Sequence, residues 1–156
     1  MAPLVEQFIV TFFVNSEIER KDYAAVANQL FEMELDGKMA EQVGFIHPSP
    51  ACGRAQGRME MSGMEFCGNA SRSFALLRAH QMGIEGAATV SVDVSGVNEI
   101  LDVEIDTVTE YTKIRMPQAR RVLRESIMGN EALIVDFGGI MHVVVKDIKE
   151  SDEIFA

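Results

Sequence analysis

Glu65-Phe66-Cys67-Gly68-Asn69-Ala70-Ser71-Arg72 holds the residues best suited to chemistry. A cysteine stands directly before Gly-Asn and an apolar-periodic run, Phe74 to Met82, that predicts a helix. The thiol then sits at the positive end of that helix, beside backbone N–H groups that lack an intrahelical acceptor. A thiol there should lose its proton more easily than a free one. The same N–H groups can hold a carboxylate. A base and an anion clamp a few residues apart are what removing a proton next to a carboxylate requires.

Gly68 removes side-chain bulk where a ligand or neighbouring backbone would approach. Asn69 can cap the helix or donate from its amide. The competing reading of Cys67 is a small buried thiol that fills space. Glu65 could tune the thiol or meet an amino group, or be a solvated turn residue. Glu60 could bind an ammonium or imidazole, or face outward from a strand into solvent. Arg72 could orient a carboxylate but more commonly makes a surface salt bridge, and Ser71 and Ser73 more often serve the backbone. His142 reads as a packed or hydrogen-bonded core histidine rather than a base, and His47 and His80 as surface residues.

The elements that position these residues follow from pattern. Val5 to Val14 is almost continuously apolar and reads as a buried strand. Tyr23, Val26, Ala27, Leu30 and Phe31 fall at helical spacing, predicting a helix over Arg20 to Glu34 that stops at Asp36-Gly37. Gln42–His47 and Arg58–Met61 read as strands around a Pro/Gly/Ser loop, and Ser62-Gly63 turns the chain toward the cysteine. The helix after Cys67 should span Asn69 to Gln81, with Gly83 as its C-cap. Strands follow at Thr89–Val94, Ile100–Ile105, Tyr111–Met116, Leu133–Phe137 and Met141–Val145. Gln118–Asn130 reads as a charged connector, and a helix could begin at Ile148. Runs of strands with few helices predict α+β with a mostly antiparallel sheet. The strand and charged helix start at the N-terminus recur loosely at Leu133–Glu150, a hint of internal repetition.

Bulk properties narrow the function. With 156 residues and 47% apolar content the chain can bury a core. A formal charge of −10 offers no basic face for nucleic acid or an anionic membrane surface. No stretch reaches membrane-spanning length, and the N-terminus lacks the pattern of a secretory signal. Two cysteines make no disulfide framework, so a cytoplasmic protein with reduced thiols is expected. The three histidines lie far apart, without metal-site spacing.

Met61-Ser62-Gly63-Met64-Glu65-Phe66-Cys67-Gly68-Asn69-Ala70-Ser71-Arg72-Ser73 resembles the first catalytic motif of the diaminopimelate epimerase family. Val90–Glu104 is similar to the strand pair after that family's catalytic helix, and Lys113–Met116 to the strand leaving its first lobe. Gly139-Ile140-Met141-His142-Val143-Val144 resembles a segment early in its second lobe. The resemblance implies two similar lobes, each a curved antiparallel sheet around a central helix. It implies proton transfer at an amino-acid α-carbon by two cysteines on opposite faces, with no cofactor and no metal. Cys67 is then the first-lobe base or acid, and Gly68 and Asn69 line the carboxylate site; Glu65 and Glu60 remain further substrate-binding candidates on their own chemistry.

Departures from the family pattern bear on the substrate. The second-lobe cysteine motif is absent, and Cys52 lies in a Pro/Gly loop that cannot replace it. Family chains run to nearly twice this length. Residues 1–125 are therefore expected to form the first lobe and 126–156 the start of an incomplete second, inactive alone and prone to dimerise through an exposed face. The family's Gly-Asn-Asp loop is replaced by Val10–Val14, and Glu60 stands where an asparagine is usual. A pocket so changed should reject diaminopimelate. The implied function is a racemase or epimerase of diaminopimelate or another amino acid such as histidine. Alternatives are an isomerase of non-amino acids on the same fold, a non-catalytic fragment that pairs with a partner lobe, and a cysteine-nucleophile hydrolase.

Overall fold

The computed structural model describes residues 11–15, 17–35, 37–49, 53–127, 129–138 and 140–145. The chain divides into two compact units, Met1–Met116 and Pro117–Ala156. The expected boundary at residue 125 falls inside a strand of the second unit, so the division comes earlier, at Pro117.

In the first unit, β1 (Thr11–Asn15) leads through a 3-10 turn (Arg20–Asp22) into α1 (Tyr23–Phe31). The helix ends before the expected Glu34. Glu34–Leu35 (β2) instead pairs with Lys38–Met39 (β3), with Gly37 at φ +74° between them. Glu-Met-Glu-Leu fits a helical pattern equally well, so periodicity could not see this hairpin. Next come β4 (Gln42–His47), β5 (Arg58–Met61), α2 (Gly68–Gln81), β6 (Ala87–Val94), β7 (Leu101–Asp106) and β8 (Tyr111–Ile114). Residues 5–10 of the expected first strand, Cys52 and the segment from Ile148 lie outside the described residues.

Six strands form one sheet in the order β1-β4-β5-β6-β7-β8. The β1/β4 and β5/β6 pairs are parallel and the others antiparallel. α2 touches β1 at one edge and β8 at the other, as well as β4, β6 and β7. A straight helix can reach both edges of a sheet only if the sheet curves around it. Small residues make that approach possible: Ala70, Ser71, Ala75 and Ala79 are buried on α2 beside Phe74. Ala70, Phe74, Ala75 and Ala79 meet Met59, Met61, Val90, Val92, Val94, Leu101, Val103 and Ile105 in one core.

Strand alternation supplies a second, smaller core on the other face of the sheet. Val43 and Phe45 of β4 pack there with Tyr23 and Ala27 of α1, and the Tyr23 and Phe45 rings stack with centroids 3.8 Å apart. The first unit is thus a sheet with α2 on its concave face and α1 behind it.

In the second unit, β9 (Arg121–Ile127), β10 (Asn130–Asp136) and β11 (Met141–Val145) form an antiparallel sheet with β10 central. β9 corrects the expected connector. Its charged, largely exposed residues show no apolar alternation, and its register with β10 is set across a turn with Gly129 at φ +80°. Val122, Met141, Val143 and Val144 are exposed on this unit.

Candidate functional site: a cysteine-capped helix

Cys67 is the N-cap of α2. Its extended backbone (φ −127°, ψ 111°) stops the helix from beginning earlier, and its side chain turns back over the first turn. Sγ accepts from the Ala70 N–H at 3.5 Å. Cysteine is not a preferred cap, where Ser, Thr, Asp and Asn dominate. The sulfur is half-buried against the main core and is a free thiol. Gly68 and Asn69 supply the first two N–H groups of the helix, which by geometry have no intrahelical acceptor.

The neighbours serve this cap. Ser71 N–H and Ser71 Oγ both donate to the Cys67 carbonyl, at 2.9 and 2.7 Å. The expectation that helix-start hydroxyls serve the backbone holds for Ser71. Arg72 Nη2 donates to Asn69 Oδ1 at 2.6 Å, which leaves the Asn69 amide nitrogen as its remaining donor. A Cβ at Gly68 would lie 2.9 Å from Met116 Sδ, so the bulk absent at Gly68 admits a methionine side chain.

Glu65 lies two residues before the thiol. One of its carboxylate oxygens, Oε2, is buried without a hydrogen-bond partner. It rests against Gly63, where an added Cβ would come within 2.7 Å of it. Met64, between them, holds a left-handed backbone at φ +61°. Strained non-glycine backbone and an unpaired buried carboxylate oxygen cluster at functional sites more than elsewhere.

Glu60 has a different setting. Met59 and Met61 face α2, so Glu60 between them faces α1. It is buried, which overturns the solvent-facing reading. Four donors saturate its carboxylate: Arg20 Nε (2.8 Å) and Nη2 (2.6 Å), Arg58 Nε (2.7 Å) and Tyr23 Oη (3.1 Å). Hydrogen bonds from Arg20 outweigh burial and hold its pKa down at about 2. Burial, then Glu60, pushes Tyr23 up to about 12, so its hydroxyl stays protonated. Tyr23 also bonds His47 Nε2, so His47 is engaged rather than a bare surface residue. Arg58 continues the network to Asp93 at 2.6 Å. Arg20, Tyr23, His47, Arg58 and Glu60 line a surface cleft of about 320 Å³ with Ile18 and Pro48. Sequence patterning missed this network because Arg20, Tyr23 and His47 come from separate elements.

His142 is exposed on β11, edge-on to Phe137, rather than packed in a core. Among the described residues no group of His, Cys, Asp and Glu has the geometry of a metal site. Nor is any helix among them long and apolar enough to cross a membrane.

A curved, mostly antiparallel sheet wrapped around a helix that a cysteine caps defines a diaminopimelate epimerase-like lobe. The chain belongs to the family described as histidine racemase CntK N-terminal domain, which matches residues 8–154. It is 34% identical over 142 residues to a histidine racemase of Staphylococcus aureus, covering 87% of this chain and 50% of that one. A histidine racemase of Fusobacterium nucleatum is 34% identical over 144 residues, covering 89% of this chain and 51% of its own. The chain therefore spans about half the length of the curated relatives it matches.

Proposed function

We propose that this chain carries the first catalytic lobe of a cofactor-independent amino-acid racemase whose substrate is histidine. The observation that supports this best is Cys67 at the N-cap of α2 with Sγ toward the Ala70 N–H. In this reading the thiolate removes the α-proton from one face of the substrate. The substrate carboxylate sits against the Gly68 and Asn69 amides, where the helix dipole favours negative charge as the carbanion develops. A second acid on the other face returns a proton, and residues beyond this half of the protein supply it. Histidine is favoured by the relatives, which carry that activity in their names. In this reading its imidazole or ammonium would meet the Glu65 carboxylate beside the thiol, whereas the Glu60 carboxylate is already engaged by Arg20, Arg58 and Tyr23.

The full-length gene product in deuterated water should incorporate deuterium at Cα of histidine, read by proton NMR. Incorporation must occur without added pyridoxal phosphate or metal. No incorporation into histidine or any other amino acid would remove this reading.

A further inference from the structure

Ser95 and Gly96 form the turn that follows β6, far in sequence from the cysteine. Ser95 is 2% exposed. Its hydroxyl accepts from the Met61 N–H at 2.9 Å and donates to the Glu65 carbonyl at 2.7 Å. One buried hydroxyl thus ties both ends of the turn that carries the chain from β5 toward Cys67. The Ser95 N–H adds a third tie, to the Met59 carbonyl at 3.0 Å. Within that turn the Met64 N–H reaches the Met61 carbonyl at 2.9 Å while Met64 keeps its left-handed backbone.

Gly96 completes the seat. Its φ is +77°, and an added Cβ would lie 2.1 Å from the Phe66 nitrogen and 2.6 Å from the Glu65 carbonyl carbon. Both obstacles are backbone, so no side chain could move aside. The peptide between Glu65 and Phe66 rests directly on Gly96, one residue before the thiol. A buried hydroxyl is costly unless both its donor and acceptor capacities are used. Here both are spent on the same turn, where an apolar residue would fill space without fixing the turn's ends.

We infer that Ser95 and Gly96 are positioning residues that set the place of the Cys67 sulfur against the α2 amides. Their catalytic consequence rests on the racemase reading; their effect on the thiol does not. An error of about 1 Å in a reacting group can lower a rate by about a hundredfold. The test compares Ser95→Ala with Val92→Ala in the full-length gene product. Val92 is a buried core residue of β6, the strand before this turn, and lies outside the turn. Two readouts are taken: kcat and KM for histidine α-proton exchange, and the iodoacetamide alkylation rate of the Cys67 peptide followed by mass spectrometry.

Ser95→Ala should lower kcat about tenfold or more with KM within about threefold, and shift the alkylation rate at least threefold. Val92→Ala should lose stability and leave both readouts within about twofold. If Ser95→Ala does not fold, Ser95→Cys, close in shape but a weak hydrogen-bonding partner, is read the same way. A folded Ser95 variant that keeps both the wild-type kcat and the alkylation rate overturns the inference. Should the wild type exchange no amino acid, the racemase reading falls, and the alkylation rates alone decide this one.

Discussion

Arg20 meets Glu60 in a two-pronged fork, Nε on Oε2 at 2.8 Å and Nη2 on Oε1 at 2.6 Å, across forty residues of sequence. The pair fastens the start of α1 to β5. The carboxylate is buried and the guanidinium is largely exposed. Such an arrangement is stabilising only while Glu60 is ionised. Its pKa is lowered from 4.5 to about 2, chiefly by Arg20. Folding stability from this group is therefore present in full above the ordinary carboxylate value. It is lost as pH falls from 4.5 toward 2. Glu60→Gln should cost about 1–3 kcal/mol at neutral pH, because a buried amide cannot accept all four of these hydrogen bonds and its own N–H groups face donors. Urea unfolding from pH 7 to 2 should show a steeper acid loss in the wild type than in the variant. Parallel curves would exclude Glu60 as the acid-sensitive group.

Glu110 tests the backbone separately. It is exposed in the turn between β7 and β8 with φ +56°, where a side chain is unfavourable. Glu110→Gly should raise stability by about 0.5–1 kcal/mol, the relief of strain exceeding the added freedom of the unfolded chain. Thermal unfolding reads this directly, and a lowered melting temperature would contradict it.

Much of this lobe was legible in the sequence because its elements obey simple periods. β4 and β5 alternate or run apolar between clear breakers, and their observed bounds match the expected ones. α2 begins one residue before the expected Asn69 because Cys67 takes the cap position itself. Two features were not legible, for physical reasons. β9 is held by backbone pairing to β10 and leaves most of its charged side chains in solvent, so no hydrophobic period marks it. The burial of Glu60 depends on Arg20, Arg58 and Tyr23 converging from separate elements, and a lone glutamate in an apolar strand carries no sign of its partners. The thiol's place at the helix start could be read from spacing alone, although the cap is Cys67 rather than Asn69. The unpaired Glu65 oxygen could not, since it depends on how the turn folds over Gly63.

Gly68→Ala separates the amide site from the fold. The new methyl would lie 2.9 Å from Met116 Sδ, and that side chain is half-exposed and free to turn aside. Alanine is also a better helix former than glycine by about 1 kcal/mol. Stability should therefore stay within about 1 kcal/mol of wild type. On the proposed reading a methyl beside the first amides would crowd the bound carboxylate, so KM for histidine should rise about tenfold or more in the full-length gene product. An unchanged KM would place the carboxylate elsewhere.

Cys67→Ser gives the sharpest separation of structure from chemistry. Serine is a preferred N-cap and cysteine is not, so the hydroxyl can take the Ala70 N–H at least as well as sulfur does. The variant should be as stable as wild type or slightly more so. Serine is also nearly isosteric, so the half-buried position tolerates it without a cavity. The hydroxyl is a far weaker acid than the thiol and remains protonated at neutral pH, so it cannot act as the base. On the proposed reading, racemisation of histidine by the full-length gene product should fall by about 10²–10⁴-fold, the usual worth of a positioned acid–base group. Circular dichroism and thermal melting establish the fold, and chiral chromatography of the product establishes the rate. A folded Cys67→Ser protein that racemises at the wild-type rate would leave the sulfur with only its capping role.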